Sequence, residues 1–307
     1  MSWQFDAPTG TYRNHALSSD IRREALADVQ FMKFLRAEPG FGKGKGESLT
    51  ITRIMALPRA TPVLEQDRLP SGRPAIETKQ VTVQEWGFKI PMTEFEKNLT
   101  SFDITNVFQS ALRDQMSMTM DTMAADAYKL TPIKYVPTIA GFTLTTNGTA
   151  GAVSTRNLGV QDLRAIWDEL HGTLKVPAFR NGKYVGILST RAARGLKNDP
   201  EYKDWLAPTT SDPFTSGRLR DIEGFALYES NNTDSLDDFV GTSLTTGEAI
   251  FFGADAGGLV RIQDPELRAG IPEDLGRFRE IGWVGTLSAF LIWEKASLAR
   301  AVHVTST

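Results

Sequence analysis

Apolar positions recur at three- and four-residue spacing along 103–129, DITNVFQSALRDQMSMTMDTMAADAYK. Ile104, Val107, Phe108, Ala111 and Leu112 lead into Met116, Met120, Met123, Ala124 and Ala127. This is the period of one buried helical face, and no Gly or Pro interrupts it. The pattern predicts one helix roughly 40 Å long. Thr100 followed by Asp103 fits a capping box, Asp103 alone can also cap, and Pro132 stands where it stops the helix. Before this rod the period changes to two. Residues 48–57 alternate as a strand, and 58–74, PRATPVLEQDRLPSGRP, carries four prolines and three arginines. Residues 76–91 return as a strand, with Val81 and Val83 on one face and Trp86, Phe88 and Ile90 on the other. That switch of face predicts a bulge near Gln84. The result is a long ribbon with a Pro-stiffened tip. A lone two-stranded ribbon is marginal in water, so it lies either on its own domain or on a neighbouring chain, and its rigid turns and charges of both signs suit the neighbour.

Further elements follow from the same patterns. Residues 1–20 read as an extended polar arm and 20–37 as a short helix with a broken apolar face (Ile21, Ala25, Phe31, Phe34, Leu35). After the rod, 132–152 is strand and turn, with the turn signal Asn147-Gly148. Residues 158–170 form an amphipathic helix ended by Gly172, and 183–189 a buried strand. Residues 190–206 are helical and then turn-like around Asn198-Asp199-Pro200. Residues 222–229 and 249–252 read as strands. Together, 136–270 suggest a mixed α/β unit. Residues 264–276 read as a loop, and 278–286, 287–295 and 298–304 as closing strands.

Composition narrows the function classes. With 307 residues and 41% hydrophobic content, the chain has material for two moderate domains. A net charge of −3 is too acidic for a protein that grips nucleic acid through many phosphates, so any DNA contact is local or weak. The absence of cysteine removes disulfides, thiolate nucleophiles and thiolate metal sites. The first residues lack the pattern of a signal peptide, and no stretch approaches the roughly 18–20 apolar residues of a membrane helix.

Catalytic and ligand motifs are not found. In 39–46, PGFGKGKG, neither Gly-Lys pair is followed by Ser or Thr, so the phosphate-loop pattern fails, and Lys45 stands where a dinucleotide fingerprint needs its third Gly. The stretch reads as a hinge. His15, His171 and His303 are far apart, and His171 reads as a helix-end residue facing carbonyls. Asp234, Asp237 and Asp238 lack calcium-loop spacing. There is no GxSxG and no HExxH. The expectation is no enzyme, no cofactor and no metal.

The order of parts — arm, hinge, ribbon, rod, inserted α/β unit, returning strands — resembles the major capsid proteins of tailed bacteriophages. Four strings carry the likeness: GKGKGESLTITRI (42–54), KYVGILSTRAARGLKNDPEYKDW (183–205), GFALYESNN (224–232) and GRFREIGWVGTLSAFLIWEKASLARAVHV (276–304). The resemblance implies an α+β chain of the Hong Kong 97-type capsid fold, with N-terminal arm (1–47), extended β-hairpin loop (48–92), a peripheral domain with the spine helix (93–135 and 270–307) and an axial domain (136–269). It implies self-assembly through hexamers and pentamers into an icosahedral head in the host cytoplasm, around double-stranded DNA held by weak, non-specific contact. Scaffolding, portal and decoration proteins are the implied partners, with no membrane. The loop tip would carry Glu65, Asp67, Arg68 and Arg73 as inter-subunit contact candidates, against the alternative that they are solvated turn charges. Some family members weld subunits through a Lys–Asn bond. Lys79 lies on the returning strand rather than the tip, and no partner Asn matches, so no crosslink is expected. The chain opens on the arm, which implies a separate or removed scaffolding segment. An encapsulin-type nanocompartment shell is the second reading, and an unrelated soluble α+β enzyme the third.

Overall fold

The structure is a computed structural model that describes residues 29–39, 42, 44, 46–66, 68–99, 103–179, 181–206, 221–241, 246–272 and 274–306. The expected arm and the first half of the 20–37 helix lie outside these residues, as do Lys43, Lys45, Asp67 and Thr100. The rod forms as predicted. Its flanking elements are β1 (Arg36–Ala37), β2 (Ser48–Ile54), β3 (Ile76–Thr82), β4 (Gln84–Thr93) and a short α1 (Glu94–Leu99), and the rod itself is α2 (Ile104–Lys129). Asp103 caps α2 by accepting from the Thr105 N–H at 3.1 Å, which satisfies one of the orphan donors of the first turn. After α2 come β5 (Lys134–Thr138), β6 (Gly141–Thr145), α3 (Val160–Trp167), β7 (Tyr184–Ser189), α4 (Thr190–Asn198) and α5 (Pro200–Leu206). The chain then forms β8 (Phe225–Ser230), β9 (Ala249–Phe252), β10 (Gly257–Ala269), β11 (Phe278–Leu291) and β12 (Ala301–Val304).

Three sheets result. One has the order β1-β10-β11-β4, the second β6-β5-β12-β9-β7-β8, and the third is the ribbon β2-β3. The rod serves both larger sheets. Along its first two-thirds Ile104, Leu112, Met120 and Met123 pack with Ile281, Trp283 and Leu287 of β11, and the Trp283 indole N–H donates to the Gln115 side chain at 2.8 Å. Along its last third Ala124, Ala125 and Tyr128 pack with Val185, Ile187, Ile250, Phe252 and Ala301 of the six-stranded sheet. The opposite face of that sheet is covered by α3 and α4 through Leu163, Ile166, Ala192 and Leu196 against Phe251, Val302 and Val304. Strand alternation explains the sharing: neighbouring residues of β9 and β12 point to opposite faces.

Several expectations are corrected. The described part of the 20–37 helix is a 3-10 turn, Phe31–Phe34, followed by β1, because Asp121 of α2 accepts the N–H groups of Gln30 and Phe31 and fixes the chain there. No bulge lies near Gln84. The strand ends at Thr82 and restarts at Gln84, since β3 pairs with β2 while β4 pairs with β11. The chain turns at Asn147-Gly148 as expected, with Gly148 at φ 83° and the Thr149 N–H donating to the Asn147 side chain at 3.1 Å, and a second turn at Ile139 and Ala140 joins β5 to β6. The helix after β6 does not simply stop at Gly172. It loosens into a π-helical stretch, Asp168–Thr173. The turn at Asn198–Pro200 is followed by α5, with Pro200 in its tolerated first position. The first part of the loop read over 264–276, Asp264 to Ala269, belongs to β10, which absorbs Pro265 at a register shift, where a missing N–H does least harm. The three closing strands are two: β11 runs unbroken to Leu291, and β12 leaves its sheet for the other one.

Candidate assembly surface

The ribbon is built on an alternation of faces. Leu49, Ile51 and Arg53 of β2 stand opposite Val81, Lys79 and Glu77 of β3, and this face turns toward the chain's own body. Leu49, Ile51, Val81 and Val83 pack with Val260, Phe290, Ile292 and Trp293. Polar groups continue the anchorage outward. Lys79 Nζ donates to the Leu291 carbonyl at 2.7 Å, pairs with Glu294, and lies 5.5 Å over the Phe290 ring. Glu77 pairs with Lys295. Arg53, only 8% exposed, donates through Nη1 to the Ile292 carbonyl at 2.8 Å, and its Nε has no hydrogen-bond partner. The base of the ribbon is therefore clamped to the turn that follows β11. The opposite face, with Thr50, Thr52, Thr78 and Gln80, is exposed.

Beyond the last rung, where the Met55 N–H donates to the Ala75 carbonyl at 2.9 Å, the support ends. The tip exposes Leu57, Val63, Leu64 and Leu69, the last two at 76% and 81%, with Ile54 and Ile76 exposed beside them. Glu65, Arg68 and Arg73 are exposed too, and among the described residues none of the three has an ion-pair partner. Asp67 lies outside those residues. The structure thus places three of the four predicted contact charges on an apolar, unsupported tip and brings none of them together. Sequence reasoning missed the clamp. Its signal was weak: charges at the inward positions 53, 77 and 79 of a ribbon otherwise apolar on that face.

Other titratable groups have structural partners. Asp121, fully buried, accepts from the N–H groups of Gln30 at 2.9 Å and Phe31 at 2.7 Å and from the Ser235 hydroxyl at 3.3 Å. Burial raises its pKa, opposed by these hydrogen bonds. Asp162 is held bidentately by Arg156 at 2.6 and 2.7 Å and accepts from the Tyr135 hydroxyl at 2.7 Å. Its hydrogen bond raises the Arg156 pKa. Glu248, His303, Lys134 and Lys129 form a third buried cluster. His171 stacks on Trp167 with ring centroids 4.5 Å apart and sits 3.2 Å from the Tyr184 hydroxyl. Asp238 accepts from the Arg191 N–H at the start of α4, and Asp237 from the Phe239 N–H. Among the described residues no group of His and acidic side chains could hold a metal, and no helix is long and apolar enough to cross a membrane.

No family model and no curated protein matches the sequence. Solved structures do. A chain of the cyanophage Pam1 capsid asymmetric unit is 14% identical, with 99% of each chain covered and a TM-score of 0.76. A chain of the acidic stable capsid structure of Helicobacter pylori bacteriophage KHP30 is 13% identical, covering 96% of this chain and 95% of its own, at 0.71. The capsid of the native GTA particle gives 12% identity, 98% and 97% coverage, and 0.65. Likeness end to end at such low identity is a likeness of architecture. The chain has the α+β fold of tailed-phage major capsid proteins, the Hong Kong 97-type fold.

Proposed function

We propose that this chain is a major capsid protein whose copies form hexamers and pentamers and close an icosahedral phage head around double-stranded DNA. The observation that carries this is the ribbon: clamped at its base, it ends in a tip of exposed leucines and charges that, among the described residues, has nothing beneath it and no ion-pair partner for Glu65, Arg68 or Arg73. Exposed apolar surface of this kind marks an interaction site, and a shell of repeated copies supplies the cover through closed symmetry. Glu65, Asp67, Arg68 and Arg73 set the pairing across the rim of that contact. On this reading the loop spans 48–92. The peripheral domain joins 93–135 to 270–307 and the axial domain covers 136–269, with the chain passing between the two sheets from β9 to β10 and from β11 to β12. Scaffolding, portal and decoration proteins are the partners, DNA is touched weakly, and the role is structural rather than enzymatic. Lys79 is occupied by Leu291 and Glu294, which supports a shell without a lysine crosslink.

Negative-stain microscopy and light scattering of the expressed protein, alone and with neighbouring reading frames, test the reading. Wild type is expected as megadalton particles. Leu64→Ser with Leu69→Ser is expected to keep the fold and remain small. Each buried leucine is worth roughly 1.5–3 kcal/mol, so the pair weakens each contact by about a hundredfold or more. Small oligomers of the wild type under every condition overturn it. Packaged nucleic acid separates a virus from an encapsulin-type compartment, which would carry an enzyme instead.

A further inference from the structure

The cluster around His303 is unlike the other buried networks, because it holds more cations than anions around a histidine. His303 lies in β12 on the face toward α2 and is 4% exposed. From β5, its parallel neighbour, Lys134 Nζ comes within 3.0 Å of Nδ1 and also donates to the Lys129 carbonyl at 2.5 Å, closing the C-terminal end of α2. From the segment before β9, Glu248 Oε1 lies 3.3 Å from His303 Nε2. From α2, Lys129 lies 3.2 Å from Glu248. The Thr305 hydroxyl and the Asp237 N–H donate to the same carboxylate at 2.9 and 3.0 Å. From β9, the cross-strand neighbour is apolar Ile250. Asp121, two turns earlier on α2, is committed to Gln30, Phe31 and Ser235.

A lysine ammonium has three donors and no acceptor. At 3.0 Å it can face Nδ1 only if that nitrogen offers a lone pair, which makes His303 neutral with its proton on Nε2, a nitrogen that makes no hydrogen bond although Glu248 Oε1 lies 3.3 Å away. Lys129 and Lys134 against Glu248 already leave one excess positive charge in a site that opens to solvent only along the partly exposed Lys129. A proton on Nδ1 makes two, and sets N–H against N–H across the contact that ties the end of the rod to β5 and β12. Burial and the two lysines disfavour that proton, and Glu248 only partly offsets them.

We propose that this cluster is a proton-operated joint: protonation of His303 expels Lys134 and frees the C-terminal end of α2 from the six-stranded sheet. The sheets on either side of α2 then lose one of their fixed connections. The device stands on the fold and is independent of the shell reading.

Hydrogen exchange with mass spectrometry on the full-length chain tests it between pH 6.5 and 5, after correction for intrinsic exchange. The window lies above the range in which Glu248, held down to about 2, titrates. One proton taken up on opening raises the opening constant by up to about tenfold per pH unit. That rise is expected in β5, β12 and the last turn of α2, with β10 and β11 flat as the internal control. In His303→Asn, which keeps an acceptor for Lys134 and cannot titrate, the rise disappears. Equal slopes in wild type and variant, or no rise in wild type, overturn the joint. Should the variant fail to fold, imidazole nitrogen shifts by NMR of the histidine-labelled wild type decide the matter. A neutral ring protonated at Nε2 at pH 7, titrating below the usual histidine range, is expected. A proton on Nδ1 at pH 7, or an ordinary titration, overturns it.

Discussion

Asp121 is the single side chain whose loss separates most cleanly a structural carboxylate from an incidental one. It sits about two-thirds of the way along α2, is fully buried, and receives the Gln30 and Phe31 N–H groups at 2.9 and 2.7 Å. Phe31 is itself fully buried, so its N–H has no recourse to water. Asp121→Ala strands two backbone donors and the Ser235 hydroxyl. Each buried donor left unpaired costs about 1–3 kcal/mol, which puts the variant roughly 2–5 kcal/mol below wild type. At about 2–4 °C per kcal/mol for a chain of this size class, the melting temperature should fall by roughly 4–20 °C. Asp121→Asn retains an acceptor oxygen and sheds the cost of a buried charge, so it should lose about 1 kcal/mol or less. The two variants also differ locally. Trypsin should cut after Lys33 and Arg36 sooner in the alanine variant, because the 3-10 turn loses its cap. The pH dependence has a definite sign. Burial raises the Asp121 pKa above its unfolded value, so between the two values the native state holds the extra proton. Stability attributable to this group is present at and below the unfolded pKa and is lost as pH rises through the native one. The asparagine variant removes that fall. Calorimetry and limited proteolysis of the three proteins check the reasoning. An alanine variant that melts with wild type, or an asparagine variant as damaged as alanine, refutes it.

Two further substitutions probe the two larger sheets, one each. Arg156→Met should destabilise by about 3–5 kcal/mol, since the Asp162 carboxyl group, 1% exposed, would lose its bidentate partner. Urea denaturation measures the cost, and adding Asp162→Asn should recover a large part of it. Gly258→Ala should cost roughly 1–3 kcal/mol by overpacking, because a Cβ there would lie 2.3 Å from Cζ of Phe290. Pairing it with Phe290→Leu should restore the urea midpoint in part.

What could be read from the sequence divides along a physical line. Periodicity is a local property, and wherever one face of one element is buried the chain states it: α2, the β2–β3 alternation and the buried run of β7 stand where their patterns put them. Pairing over long separations leaves no such trace. Asp121 interrupts the apolar stripe of α2 as any solvent-facing residue would, and its partners lie about ninety positions earlier. β12 was legible as a strand, yet its parallel pairing with β5 depends on some 165 intervening residues rather than on its own four. The same reasoning accounts for the tip. Glu65, Arg68 and Arg73 are visible as charges in a turn, but the partner that gives a turn charge its role is not encoded beside it. A partner supplied by a second copy is absent even from the folded chain. Exposed Leu64 and Leu69 therefore carry more of the functional argument than the charges do, since a turn has no need of leucines while an interface has.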